Sequence, residues 1–106
     1  MAEYRARVVD GILDARLRAV GCVVIEGPKA VGKTATAARR AASEVRLDVD
    51  VNAREIARAD PALVLEGDAP RLIDEWQIVP DVWNHVRRAV DDIGQPGQFI
   101  QHHDGR

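Results

Sequence analysis

The sequence predicts an α/β fold with a mostly parallel sheet and helices on its faces. Three observations point there. Short apolar, β-branched runs alternate with stretches of helical periodicity. One of these runs leads through a glycine-bearing loop into an alanine-rich segment. Another, Pro70-Arg71-Leu72-Ile73, ends in the adjacent carboxylates Asp74 and Glu75.

The first element is a helix over residues 5–20. Val9, Ile12, Leu13, Leu17 and Val20 recur on one face, with Arg7, Asp10, Asp14 and Arg18 off it. Gly21 stands where a C-terminal cap is expected. Cys22-Val23-Val24-Ile25-Glu26 suits a buried parallel strand. The alanine-rich run after Lys33 predicts a helix over 33–43. Val45 to Val51 alternates apolar and charged residues, which predicts a strand at a sheet edge. Asn52 is expected to cap a short helix running through Arg58 and anchored by Ile56. Asp60-Pro61 is a second start signal, for a helical turn over Pro61–Leu65 that stops by Gly67. A strand is predicted over 71–74, and Pro80 opens a helix to residue 93 whose apolar face holds Val82, Trp83, Val86, Val90 and Ile93. Gly94-Gln95-Pro96-Gly97 is a turn, and Gln98-Phe99-Ile100 begins another strand.

Gly27-Pro28-Lys29-Ala30-Val31-Gly32-Lys33-Thr34 reads G-x-x-x-x-G-K-T, the spelling of a phosphate-binding loop between a strand and a helix. Glycines at Gly27 and Gly32 let successive backbone N–H groups point at one phosphate. The helix that follows adds free N–H groups and the positive end of its dipole. Lys33 is expected to reach the β- and γ-phosphates, and Thr34 to give its hydroxyl to Mg²⁺. At the end of the 71–74 strand, Asp74 is expected in the Mg²⁺ shell. Glu75 is expected to accept a proton from an attacking water, as the catalytic base.

At 106 residues the chain is one small domain. A net charge of −2 gives no electrostatic case for nucleic acid or an anionic membrane as partner. Lysine occurs only at Lys29 and Lys33, both inside the loop. The single cysteine, Cys22, excludes an internal disulfide and fits a reducing, cytoplasmic location. No apolar run approaches the ~20 residues of a membrane helix, and the N-terminus has no signal-peptide core. Arg87, Arg88 and His85 are read as a solvated helix face.

Taken in order, these stretches resemble the prokaryotic AAA-type ATP-binding proteins that carry a C-terminal domain of unknown function. The resemblance rests on Tyr4 to Asp10, on Glu26 to Ala35, on Leu72-Ile73-Asp74-Glu75-Trp76-Gln77, on Trp83 with Val86 to Asp91, and on Gly97 to Ile100. It implies that residues 1–100 are the N-terminal part of a P-loop ATPase core, a partial three-layer sandwich, with 101–106 a polar tail outside the family pattern. It implies ATP with Mg²⁺ as ligands and a sheet order of 5-1-4-3-2, in which the strand starting at Gln98 lies between the strands bearing the loop and Asp74. The strand at Val23-Val24-Ile25 would then have one open edge, since no fifth strand is present.

The chain departs from that family where its γ-phosphate sensor is expected, since the Thr position falls on His102. His102-His103-Asp104 is read as a solvated tail, because adjacent strand residues point to opposite faces and would not share one ion. The loss of pattern after Ile100 reads as a truncated gene product. The function expected is Mg-dependent ATP binding with weak or absent hydrolysis. The alternatives are a non-enzymatic nucleotide-binding module or a non-functional remnant. Oligomeric state is not readable.

Overall fold

The structure is a computed structural model that describes residues 2–26 and 33–103, with side chains described over 10–26 and 36–103. Chain order gives α1 (Ala2–Ala19), β1 (Cys22–Glu26), α2 (Lys33–Arg40), β2 (Ser43–Arg46), α3 (Val51–Ala59), β3 (Arg71–Asp74), α4 (Asp81–Ile93) and β4 (Phe99–His103). Two 3₁₀ turns, Pro61–Leu65 and Trp76–Ile78, flank β3. Among the described residues the strands form one four-stranded sheet in the order β1-β4-β3-β2, and every pairing is parallel. The fold is therefore α/β, with β4 between β1 and β3.

Side-chain alternation along the strands builds a core on each face of the sheet. On one face Val23, Leu72 and Ile100 pack with Leu13 of α1 and Ala37 of α2. On the other, Val45, Ile73 and Phe99 pack with Ala53 and Ala57 of α3 and with Val82 and Val86 of α4. Arg39 and Arg40 of α2 pair with Asp10 and Asp14 of α1, tying those two helices together. The side-chain hydrogen bond to Arg40 holds the Asp14 carboxyl below the usual carboxylate range. Trp83 is half-buried and lies 5.3 Å, centroid to centroid, from Trp76.

Several boundaries differ from the sequence expectation. The second strand is Ser43–Arg46, not 45–51. Leu47 to Val49 turn instead, and Val49 and Val51 are exposed at 67% and 57%. The cause is a cap: the Asp50 carboxylate accepts from the Ala53 N–H at 3.0 Å and starts α3, so Asp50 and not Asn52 is the capping residue. The α2 helix stops at Arg40 rather than residue 43 because Ala42 N–H donates to the Pro70 carbonyl, drawing the chain onto the sheet. Gly21 does not cap α1, which ends at Ala19; its carbonyl receives the N–H groups of Gln98 and Phe99 and starts the β1–β4 ladder. The Asp60 cap, the Pro61–Leu65 turn and the Asp81–Ile93 helix with Gly94 in the left-handed region match the expectation.

The largest difference is at the C-terminal strand. Residues 101–103 belong to β4, and Gln101 and His102 are fully buried rather than solvated. Register explains it. Gln101 faces Val24 and Ile73, and His102 faces Ile25 and Asp74, so the sheet encloses polar residues that composition assigns to solvent. The strand β1 pairs only with β4 among the described residues, which leaves its other side open. Ile12, Leu13, Arg16, Val23, Val24 and Ile25 line the groove beside it. No helix among the described residues is long and apolar enough to cross a membrane.

Candidate functional site

The carboxyl ends of the parallel strands bring the chemistry-bearing residues together. Asp74 ends β3, Glu75 follows it, and His102 faces Asp74 across the β3–β4 ladder. Leu72 and Ile100 face the α1–α2 side of the sheet, and Asp74 and His102 stand two residues beyond them. Their side chains therefore lie on the same face as α2, which begins at Lys33.

All three residues are buried: Asp74 at 3% exposure, Glu75 at 7% and His102 at 0%. His102 Nδ1 lies 2.6 Å from Asp74 Oδ1. A carboxylate only accepts, so the imidazole N–H is the donor. The Glu75 backbone N–H donates to the His102 carbonyl at 2.7 Å, and Gln77 Nε2 donates to Glu75 Oε2 at 2.6 Å. Glu75 itself takes φ 57° and ψ 43°, the left-handed region that non-glycine residues seldom occupy. Such a conformation costs on the order of 1–3 kcal/mol and concentrates at functional sites. It turns the chain so that two successive residues, Asp74 and Glu75, are buried beside one imidazole, where an extended strand would send them to opposite faces.

One ligand-capable atom from each of Asp74, Glu75 and His102 lies within 4.8 Å of the others. His103, on the opposite face of β4, pairs with Glu26 at 3.2 Å and meets the Trp76 ring edge-on at 6.0 Å. Cys22 Sγ lies 3.3 Å from Gln101 Oε1, and burial pushes the thiol up from 9.0 to about 12.

Of the expected site residues, Gly27, Pro28, Lys29, Ala30, Val31 and Gly32 lie outside the described residues. Lys33 and Thr34 are the first two residues of α2, with only their backbone described. Asp74 and Glu75 fall together at the end of β3, as the spacing suggested. What residue-by-residue reading missed is that His102 joins them. The one sequence signal for it is the resemblance, which sets a Thr position at His102. Its polar neighbours argued the other way.

Comparisons of the chain with protein-family models, with curated proteins and with solved structures each returned no match.

Proposed function

We propose that this chain binds a nucleoside triphosphate with Mg²⁺ through Gly27 to Thr34, as the N-terminal part of an AAA-type P-loop ATPase core, and that it hydrolyses the nucleotide slowly or not at all. ATP is the nucleotide that the resemblance favours. The observation that carries the proposal is the order of the parts. A parallel strand, β1, leads into the G-x-x-x-x-G-K-T motif, α2 begins at its Lys33, and Asp74 and Glu75 end a strand separated from β1 by β4. Ligands of open α/β sheets bind at the carboxyl ends of the strands, and a helix N-terminus there favours phosphate.

The donor chemistry suits the ligand. Lys33 is a compact cation for the β- and γ-oxygens, and Thr34 and Asp74 offer the oxygen donors that Mg²⁺ prefers. Bound Mg²⁺ would neutralise charge developing on those oxygens. Glu75, fixed by Gln77, holds a carboxylate where it can take a proton from water. His102 stands at the sensor position with its Nδ1 directed at Asp74 rather than free to orient water. That contact favours a binding module over an efficient hydrolase. Calorimetric titration of the 106-residue chain with ATP and Mg²⁺, beside Lys33→Ala, tests the proposal. Saturable binding lost in the variant supports it, and equal binding by both proteins removes the loop as the site.

A further inference from the structure

We propose that Asp74, Glu75 and His102 form a site for a first-row transition-metal dication, of which Zn²⁺ is the probe, and that the site forms without nucleotide. Three features on the page carry this. The first is convergence: one donor atom from each residue lies within 4.8 Å of the other two. In a tetrahedral shell two ligands of one such ion, each at about 2.0–2.2 Å, stand about 3.4 Å apart. To take the ion, the widest pair closes by at most about 1.4 Å, and the 2.6 Å Asp74–His102 hydrogen bond opens by about 0.8 Å.

The second is rigidity and burial. Asp74 and His102 are register partners in adjacent strands, and Glu75 is clamped by its own N–H to the His102 carbonyl. Gln77 holds one Glu75 oxygen at 2.6 Å, the kind of outer contact that orients a ligating carboxylate. The side chains sit inside the protein, not on its surface.

The third is donor identity. Mg²⁺ is bound through oxygens, whereas an imidazole nitrogen beside two carboxylates suits Zn²⁺ and its first-row neighbours. His102 thus gives Asp74 a second partner choice: an oxygen-only shell shared with nucleotide, or a mixed nitrogen–oxygen shell within the sheet. The two compete for Asp74. The inference stands apart from nucleotide binding, because it is tested with nucleotide absent.

The test is a Zn²⁺ titration of the whole chain, followed by the side-chain ¹⁵N resonances of His85, His102 and His103. One equivalent of Zn²⁺ is expected to shift the His102 ring nitrogens first and to leave His85 in place, while Mg²⁺ shifts neither nitrogen of His102. Calorimetry is expected to give an affinity for Zn²⁺ that falls at least about tenfold in Glu75→Gln and in Asp74→Asn, no less than the loss on removing an outer-shell partner. The wild-type spectra keep the proposal open to refutation even where a buried variant folds poorly. It is overturned if His102 does not move, if half-buried His103 with its exposed partner Glu26 takes the ion first, or if Mg²⁺ and Zn²⁺ shift His102 alike.

Discussion

His102 and Asp74 form a buried pair, Nδ1 to Oδ1 at 2.6 Å, across matched positions of two neighbouring parallel strands. Glu75 is tied to the same histidine through the backbone. The acidic end of β3 is therefore built against β4, and each expectation for the site depends on that contact.

Lys33→Ala should weaken Mg·ATP binding by at least about tenfold. Charge-assisted hydrogen bonds are worth about 1.5–3 kcal/mol, and each 1.4 kcal/mol is about a factor of ten. Titration calorimetry of both proteins measures the difference. An unchanged affinity would mean that phosphate binds elsewhere or not at all.

Turnover should be slow or undetectable in a single-turnover assay. An arginine finger is worth about 10³–10⁵ in rate, and Arg87 and Arg88 lie on the exposed side of α4. His102 is committed to Asp74 rather than to water. A rate near that of a protein with a complete ATPase core, abolished by Glu75→Gln, would contradict this.

Asp50→Ala should destabilise the fold by about 0.5–2 kcal/mol through loss of the α3 cap, while Asn52→Ala should change little. Urea unfolding midpoints of the two variants make the comparison. Equal losses would return the cap to Asn52.

Ile73→Ala should cost about 2–5 kcal/mol, since the side chain is fully buried between the sheet and the α3–α4 layer. Val49→Ala should stay within about 0.5 kcal/mol, because Val49 is exposed. Were Val49 part of a packed strand, its truncation would approach the Ile73 value.

Cys22 should resist thiol reagents at pH 8 in the folded chain and react once the chain is unfolded. Burial raises the folded thiol from 9.0 to about 12, so the thiolate is scarce until strongly alkaline pH. The sign for stability follows. The contribution is intact below pH 9 and declines between pH 9 and 12, as the unfolded thiol ionises and the folded one does not. Labelling rates with and without denaturant decide the first point; fast labelling of the native chain would contradict it.

How far the fold was legible depends on which physical signal dominated locally. Cys22–Glu26, Arg71–Asp74 and Asp81–Ile93 were readable because apolar periodicity and tertiary packing agree there. The 45–51 stretch was not, since strand-like alternation competes with a short-range bond from Asp50 that only geometry reveals. His102 was misread as solvated for a different reason. Its burial is set by Asp74, 28 residues earlier in the chain, and local composition carries no trace of that partner. Asp74 and Glu75 were legible as a pair, but the left-handed turn at Glu75 that buries both is a tertiary effect.

The placement of β4 between β1 and β3 also governs how this sheet can be assembled during synthesis. Among the described residues β1 is joined to the sheet by β4 alone, and the first bridging residue, Phe99, is made long after Cys22. At about 5–20 residues per second, the strand that leads into the G-x-x-x-x-G-K-T motif waits several seconds for its neighbour. During that interval β2 and β3 can pair, but Val23 and Ile25 have no adjoining strand. The nascent chain then exposes an apolar segment that chaperones or a neighbouring polypeptide can engage before β4 emerges.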